Sequence, residues 1–143
     1  MFTSPIPAVI AVVIRDGYTL LVRRTNPPDA GLWGFPGGKI EFGETVEEAT
    51  MRELLEETAV HAEAQDVITT LDVITRGSGG QVQQHYILTA VQCRWISGEP
   101  IAGDDALEAK WFLIEDLDPT VLPMSADVDV VARRAKALNL RDS

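Results

Sequence analysis

A group of four charged residues lies about 15 positions after the glycine pair Gly37-Gly38. The group consists of Arg52, Glu53, Glu56 and Glu57, and its close spacing could form a chemical site. An α-helix turns by about 100° per residue, so the three glutamates fall within an arc of about 100° on one helix face. Clustered carboxylates bind hard divalent cations, and Mg²⁺ usually takes one or two carboxylates together with substrate phosphates. The pattern therefore predicts a helix-borne Mg²⁺ site for a phosphate ester or anhydride.

A solvated helix face is the plain alternative for such a cluster, because like charges on one face are common where they serve only solubility. Two features favour a metal site over a solvated helix face. The glycine pair allows the backbone to approach a ligand closely. Arg52 can hold a neighbouring carboxylate through two parallel hydrogen bonds, as a guanidinium does with a carboxylate.

The start of the helix is marked by Thr45, a good N-cap residue, and by Glu48 three residues later, which completes a capping box. Glu47 and Glu48 also place negative charge in the first turn, where the helix dipole favours it. The helix is therefore predicted to begin near Thr45 and to carry the four charged residues in its second half.

The segment 38–60 reads GKIEFGETVEEATMRELLEETAV. Its spacing resembles the Nudix box, G-x5-E-x7-R-E-U-x-E-E-x-G-U with U an apolar residue, from Gly38 through Glu44 to Val60. All fixed positions match except the last glycine, which is Ala59 here. Since that glycine normally helps the chain to leave the helix, the departure concerns the exit geometry more than the chemistry.

The resemblance implies a set of metal ligands and an activity. It implies Mg²⁺ as cofactor, with Mn²⁺ able to substitute, and hydrolysis of a nucleoside diphosphate linked to another group X, such as ADP-ribose or another NDP-sugar. The same chemistry on (d)NTPs, including oxidised ones, and a noncatalytic nucleotide-binding module are the alternatives. The implied metal ligands are Glu53, Glu56 and Glu57, with the backbone carbonyl of Gly37 or Gly38 as a further candidate.

Arg52 and Glu44 have supporting roles in this comparison, since Arg52 would orient a neighbouring glutamate and Glu44 would be an outer member of the cluster. The general base is the glutamate at the position of Glu53 in some family members and a loop residue in others. Loop candidates lie just before Trp111, and the preferred one is Glu108. The others are Asp104 and Asp105. The competing interpretation of this loop is a solvated acidic turn.

Substrate contacts are expected from two kinds of side chain. Arginines and lysines can clamp phosphates, and aromatic rings can stack on a base. Surface charge and core packing are the ordinary alternatives for the same residues. The candidates are Arg23, Arg24, Trp33, Phe35, Lys39 and Tyr86.

Composition limits the class of protein. The chain has 143 residues, of which 45% are hydrophobic, and a net charge of −10. This size predicts one domain over residues 1–143. The negative charge argues against binding to nucleic acid polymers or anionic membranes. No apolar run is long enough for a membrane span, no signal peptide is evident, and Cys93 is the single cysteine, expected in the core. We therefore expect a cytoplasmic enzyme; a homodimer is an open expectation, because family members are often dimers.

The elements that must position these residues alternate between strand and helix patterns. Strands are predicted for residues 7–14, 19–24, 60–75, 82–96 and 110–114, with a hairpin turn at Asp16-Gly17 and a short extended run over residues 32–36. A second helix is predicted from Met124 onward, capped by Ser125, with an apolar stripe of Val128, Val131, Ala135 and Leu138. The sum is an α/β/α sandwich: a mixed β-sheet with a helix on each face, as the Nudix resemblance also implies.

Overall fold

The computed structural model describes residues 4–27, 29–103 and 105–141. Its elements within these ranges are seven strands, two α-helices and one short 3₁₀ helix (Ile114–Asp116). The strands are β1 (Ile6–Arg15), β2 (Tyr18–Arg24), β3 (Trp33–Gly34), β4 (Gly37–Lys39), β5 (His61–Arg76), β6 (Val82–Ser97) and β7 (Ala106–Leu113). The helices are α1 (Val46–Thr58) and α2 (Val128–Arg141).

The first two strands form a hairpin that opens after its turn. Asp16 and Gly17 both have positive φ, of 50° and 84°, as a two-residue hairpin turn requires. β1 pairs with β2 only next to this turn. Farther along, β3 pairs with β2 and β4 pairs with β1, so the segment 33–39 is wedged between the two diverging strands.

The sheet is mixed. β1 and β6 pair in parallel from Ile6↔Tyr86 to Ile14↔Arg94, whereas the other strand pairs are antiparallel. The order is β3-β2-β1-β6-β5, with β4 beside β1 and β7 beside β2. A strand that is apolar on both faces belongs in the middle of a covered sheet, and β1 and β6 occupy that position.

Each face of the sheet has its own apolar core. One contains Ile10, Val12 and Leu21 and receives Val128 and Val131 of α2. The other contains Ala11, Val13 and Leu20 and receives Leu54 of α1. Alternate residues of β1 therefore point to opposite helices. The predicted α/β/α sandwich with a mixed sheet is confirmed.

The second helix starts later than predicted. It begins at Val128 rather than Met124, and Ser125 is not its cap. Asp127 has a φ of 67°, which is outside the helical region. The amide of Ser125 donates to the carbonyl of Trp33 instead, at 2.9 Å, so the segment before α2 is tied to β3. The apolar stripe is confirmed, with Leu138 packed at its end.

The last strand is longer than the predicted 110–114, because it starts at Ala106 and pairs along β2. Cys93 is buried in the core beneath α1, as expected, and burial raises the pKa of its thiol to about 12. No helix in the described ranges is both long enough and apolar enough to cross a membrane.

Candidate active site

The helix α1 begins as its sequence predicts. The amide of Glu48 donates to the Thr45 hydroxyl at 3.1 Å, and the amide of Thr45 donates to the Glu48 carboxylate at 2.9 Å. This confirmed capping box satisfies two amides that would otherwise lack partners at the first turn. Leu54 faces the core and is fully buried, which turns the glutamates at 53, 56 and 57 away from it.

The helix ends at Ala59 in the left-handed conformation, with a φ of 62°. Its amide donates to the Leu55 carbonyl at 2.9 Å, which closes the last turn. A non-glycine residue in this region costs about 1–2 kcal/mol. The alanine at the box-glycine position therefore keeps the exit geometry and carries this strain.

Arg52 is the centre of the carboxylate cluster. Its Nε and Nη2 atoms donate to the two oxygens of Glu44, at 2.6 and 2.9 Å. Its Nη1 donates to Glu53 at 2.8 Å and to Glu56 at 3.3 Å. Nη2 also donates to the Lys39 carbonyl at 3.1 Å. One guanidinium thus fixes three carboxylates and the backbone that leads into the helix.

These contacts set the protonation states of Arg52 and Glu44. The hydrogen bond from Arg52 and the amide of Glu41 lower the pKa of Glu44 to about 2. The same contact with Glu44 raises the pKa of Arg52 above its ordinary value. Glu44 is therefore ionised across the neutral range and committed to Arg52, which matches an outer role in the cluster.

The two glycines before the helix are required by close contacts of different kinds. A Cβ at Gly38 would lie 2.6 Å from the carboxylate of Glu53. A Cβ at Gly37 would lie 2.1 Å from the carbonyl oxygen of Val9 in β1. Gly38 therefore lets the Glu53 carboxylate approach the backbone, whereas Gly37 lets β4 pack against β1.

Glu57 is a partly buried member of the cluster. Its Oε2 accepts a hydrogen bond from the amide of Gly37 at 2.7 Å. The pKa of Glu57 is raised to about 7, mainly by burial and to a lesser degree by the charges of Glu53 and Asp105, which together outweigh the lowering effects of the Gly37 amide and of Arg24. A carboxylate that loses hydration and receives a single backbone hydrogen bond lacks full compensation for its charge.

The donor set suits a hard divalent cation. No three carboxylate, imidazole or thiol side chains in the described ranges stand close enough together to form a ready-made cage. Mg²⁺, however, uses few protein carboxylates and keeps water and substrate phosphates as its other ligands. Such a cation fits next to the Glu57 carboxylate, whose charge lacks full compensation, and close to Glu53 and the Gly37-Gly38 backbone.

A cavity of about 640 Å³ opens beside this cluster. Its lining includes Glu57, Lys39 and Arg24, together with Gly37 and Gly38. β5, β6 and the start of α2 also line it, and the segments there contribute Asp72 and Asp127 among other residues. The apolar and aromatic side chains of this part are Leu71, Val73, Tyr86, Leu88, Val128 and Val131.

Arg24, Lys39, Phe35 and Tyr86 line this cavity among the predicted substrate-binding residues. Arg24 donates from Nη2 to the Phe35 carbonyl at 3.0 Å, which holds its guanidinium over Gly34. Phe35 itself is almost fully buried. The Tyr86 hydroxyl accepts a hydrogen bond from the Gln84 amide at 3.0 Å.

Two other predicted substrate contacts do not line the cavity. Trp33 is buried in the core and meets Phe112 edge to face, with ring centroids 4.9 Å apart. Arg23 is paired with Glu108 at 3.2 Å. Packing engages the side chain of Trp33 and an ion pair engages that of Arg23, so their predicted contacts with substrate remain predictions that this cavity does not support.

Glu108, the preferred loop base, likewise does not line the cavity. It lies opposite Arg23 in the β2–β7 pairing and also contacts Lys110 at 3.4 Å. Asp105 lines the cavity instead, and its charge acts on Glu57. Asp104, the remaining candidate, lies outside the described residues.

A family model described as NUDIX domain matches residues 4–134, most of the chain. The chain belongs to the Nudix family. It is 36% identical over 117 residues to the ADP-ribose pyrophosphatase of Methanocaldococcus jannaschii, covering 82% of this chain and 67% of that protein. It is 31% identical to the oxidized purine nucleoside triphosphate hydrolase of Danio rerio, covering 82% of this chain and 71% of that protein.

Comparison with solved structures points to the same family. The crystal structure of the MutT NUDIX hydrolase from Burkholderia pseudomallei matches with a TM-score of 0.78 and 29% identity, over 92% of this chain and 98% of that one. This protein is therefore a Nudix hydrolase.

Sequence reasoning missed the part of the Nudix hydrolase cavity that precedes α2. Ser125 and Asp127 both line it, and the Ser125 hydroxyl is buried without a hydrogen-bond partner in the described residues. The prediction that Ser125 caps a helix assigned this polar atom to the backbone. Because α2 starts later than predicted, the Ser125 hydroxyl does not cap the helix, and Ser125 lines the cavity instead.

Proposed function

We propose that this Nudix hydrolase cleaves the pyrophosphate bond of nucleoside diphosphates linked to a second group, with ADP-ribose and NDP-sugars as the substrate class, in a Mg²⁺-dependent reaction. The observation that carries the proposal is the position of Glu57. It lies partly buried at the wall of the cavity, next to the carboxylates that Arg52 organises. The similarity to a protein named ADP-ribose pyrophosphatase supports the same substrate class.

The charges of the cavity favour the substrate with fewer phosphate charges. Among the described lining residues, Arg24 and Lys39 are basic, whereas Asp29, Glu57, Asp72, Asp105 and Asp127 are acidic. A triphosphate brings more negative charge than a diphosphate bridge into this acidic lining and into a chain whose net charge is already −10. The remaining volume, with an apolar wall at Tyr86 and Leu88, leaves room for the nucleoside.

Each residue of the cluster has a separate task in the proposed reaction. Glu53, Glu56 and Glu57 would hold Mg²⁺, which neutralises phosphate charge and lowers the pKa of a bound water when present. Arg24 and Lys39 bind bridging phosphate oxygens and stabilise charge on the leaving phosphate. Arg52 keeps the carboxylates in position. Water adds to one phosphorus, the bridging P–O bond breaks, and two monophosphates leave.

The proton of the attacking water needs an acceptor, and we assign this role to Asp105 rather than Glu108. Asp105 faces the cavity close enough to influence Glu57, whereas Glu108 is neutralised by Arg23 and Lys110. The loop that carries Asp105 is fixed to the end of α1, because the amide of Gly103 donates to the Glu57 carbonyl at 2.7 Å.

Hydrolysis of (d)NTPs to a monophosphate and pyrophosphate is the second candidate. It is supported by the 31% identity to a protein named oxidized purine nucleoside triphosphate hydrolase and by the match to a MutT structure. Both reactions use the same carboxylates, so the difference must lie in what the cavity accepts on either side of the phosphates.

A substrate panel distinguishes the two. Values of kcat/KM are measured with Mg²⁺ for ADP-ribose, other NDP-sugars, dinucleotides, and canonical and oxidised (d)NTPs, with Glu57→Gln as the inactive control. We expect ADP-ribose or an NDP-sugar to exceed every triphosphate by at least about tenfold, which corresponds to ~1.4 kcal/mol of transition-state binding. A preference for a triphosphate with release of pyrophosphate would replace the first candidate by the second.

A further inference from the structure

The segment between β6 and β7 runs along the C-terminal end of α1. The amide of Ile101 donates to the Thr58 carbonyl at 2.9 Å, and the amide of Gly103 donates to the Glu57 carbonyl at 2.7 Å. Since the last carbonyls of a helix lack partners within the helix, these two amides close its end. The Ile101 side chain is 70% exposed, so its backbone rather than apolar burial holds this residue in place.

Gly103 approaches the helix more closely than a residue with a side chain could. A Cβ at this position would lie 2.3 Å from the Glu56 carbonyl oxygen and 3.1 Å from the Glu57 Cα. Both atoms belong to the backbone and cannot rotate away as the end of a side chain can. The φ of Gly103 lies outside the left-handed region, so the close contact, and not the backbone conformation, requires glycine here.

The same glycine begins the turn that carries Asp105. The amide of Ala106 donates to the Gly103 carbonyl at 3.2 Å, which closes a four-residue turn with Asp105 at its third position. On the other side, the hydroxyl of Thr25, which follows β2, donates to the Asp105 carbonyl at 3.1 Å. Asp105 is therefore held between the end of α1 and the end of β2.

The helix end that Gly103 contacts carries the proposed metal ligands Glu56 and Glu57. This part of the helix is anchored, because Leu54 is fully buried in the core. A side chain at position 103 would therefore displace the loop, and Asp105 with it, rather than the helix. A general base must lie within hydrogen-bond reach of the proton that it accepts, so such a displacement acts on the chemical step.

We propose that Gly103 is a positioning residue for the reaction: its missing side chain lets the turn of Asp105 dock on the backbone of the metal-binding helix, which fixes the distance between the base and the metal ligands. The inference rests on the proposed function, in which Asp105 accepts the proton of the attacking water. Gly103 itself does not line the cavity, so it acts through Asp105 and not through contact with the substrate.

Steady-state kinetics of Gly103→Ala test the proposal on the best substrate of the panel, whichever class that substrate belongs to. We expect kcat to fall about 10–100-fold, because a displacement of about 1 Å at a reacting group has effects of this size. KM and the Mg²⁺ concentration for half-maximal activity should change by less than about threefold, since the metal ligands and the basic residues keep their contacts. An unchanged kcat overturns the proposal.

Gly79→Ala is the matched control for this substitution. Gly79 lies in the exposed connection between β5 and β6, where a new Cβ meets only the side chain of Gln81. The control variant should keep the full activity of the wild type.

A double-mutant cycle with Asp105→Asn separates positioning from general damage. When the carboxylate is absent, Gly103→Ala has no base left to misplace, so we expect it to lower kcat by less than about threefold in that background. Losses that multiply across the two substitutions show that Gly103 does not act through Asp105, which overturns the proposal and leaves the proposed function standing.

Thr25→Val provides a second variant should Gly103→Ala fail to fold. It removes the hydroxyl that holds the Asp105 carbonyl, and we expect kcat to fall about 2–10-fold, the size of one lost hydrogen bond. Thr25→Ser keeps the hydroxyl and should return kcat to within about twofold of the wild type. A Thr25→Val variant with unchanged kcat, or a loss that serine does not rescue, counts against the docked turn and overturns the proposal.

Amide hydrogen exchange gives a readout that needs no turnover. In the wild type the amides of Ile101 and Gly103 should be protected, and in Gly103→Ala the Ile101 amide should exchange at least about tenfold faster while the Leu54 amide within α1 stays protected. Unchanged protection of Ile101 overturns the proposal. A chain that hydrolyses no substrate of the panel overturns the proposed function instead, and the exchange result still decides whether Gly103 docks the loop on the helix.

Discussion

Arg52 and Glu44 are joined by two hydrogen bonds, of 2.6 and 2.9 Å, from one guanidinium edge to both oxygens of the carboxylate. The opposite edge of the guanidinium reaches Glu53 and Glu56. Glu44 thus fixes the plane of Arg52, and Arg52 fixes two of the proposed metal ligands. The pair acts on chemistry through geometry, since neither member needs to touch the substrate.

Arg52→Lys tests this relationship, because an ammonium keeps the charge and loses the planar fork. We expect kcat/KM to fall about 10–100-fold, the usual cost of removing a residue that orients metal ligands. The apparent Mg²⁺ affinity should weaken in parallel, as measured by titration of the activity with Mg²⁺. Arg134→Lys on α2 is the matched control. Full activity of Arg52→Lys would show that the fork is dispensable.

Gly38→Ala and Gly37→Ala should separate chemistry from stability. The Cβ at position 38 meets the movable carboxylate of Glu53, so we expect kcat/KM to fall about 100-fold with little change in Tm. The Cβ at position 37 meets the backbone of β1, so we expect a loss of about 3 kcal/mol in the free energy of unfolding. Thermal unfolding and activity are measured on both variants. Equal effects on the two properties would contradict this division.

Glu57 should make stability depend on pH. Its pKa is raised from 4.5 to about 7 in the folded chain, so the folded state binds the proton more tightly than the unfolded state. The stability that this proton contributes is complete below about pH 4.5 and is lost as the pH rises through about 7. Without metal at pH 8, Glu57→Gln should therefore be more stable than the wild type by on the order of 1–2 kcal/mol, allowing for partial exposure.

Chemical denaturation at pH 5 and pH 8, with and without Mg²⁺, provides the measurement. The advantage of Glu57→Gln should shrink at pH 5 and should also shrink at pH 8 with saturating Mg²⁺, because the metal stabilises the wild-type carboxylate. Wild-type activity should correspondingly rise from pH 6 to pH 8 as Glu57 ionises. An advantage that is the same under all four conditions would contradict the raised pKa.

Asp105→Asn and Glu108→Gln test the assignment of the base. Removal of a general base typically lowers the rate by 10²–10⁴-fold. We expect a loss of about 100-fold or more for Asp105→Asn, and a loss of about threefold or less for Glu108→Gln, which breaks only an exposed ion pair. The comparison uses kcat at saturating Mg²⁺. The reverse order would return the role to Glu108.

The local elements of the site could be predicted from sequence, because their signals are local. The capping box at Thr45 and Glu48 predicts the start of α1, and the period of the helix predicts that the three glutamates turn away from Leu54. The hairpin at Asp16-Gly17 and the apolar strands β1 and β6 are clear for the same reason.

The remaining features depend on contacts between distant parts of the chain. Glu108 is three residues before Trp111, a spacing that resembles the family, yet the β2–β7 register places it opposite Arg23. The wedge of residues 33–39 between β1 and β2 buries Trp33 and sets the need for both glycines. The start of α2 is displaced because Ser125 binds the backbone of β3. No local pattern contains this information.

The most direct test of the proposed function is product analysis of ADP-ribose by ³¹P NMR, with and without Mg²⁺, for the wild type and Glu57→Gln. We predict that the wild type with Mg²⁺ converts the diphosphate signals into those of AMP and ribose 5-phosphate. Omission of Mg²⁺, or the substitution in the presence of Mg²⁺, should slow this conversion by at least about 100-fold. Persistence of ADP-ribose and of NDP-sugars with Mg²⁺, while a nucleoside triphosphate is cleaved to pyrophosphate, would contradict the proposed substrate class. Equal rates for the wild type and Glu57→Gln would contradict the assigned site.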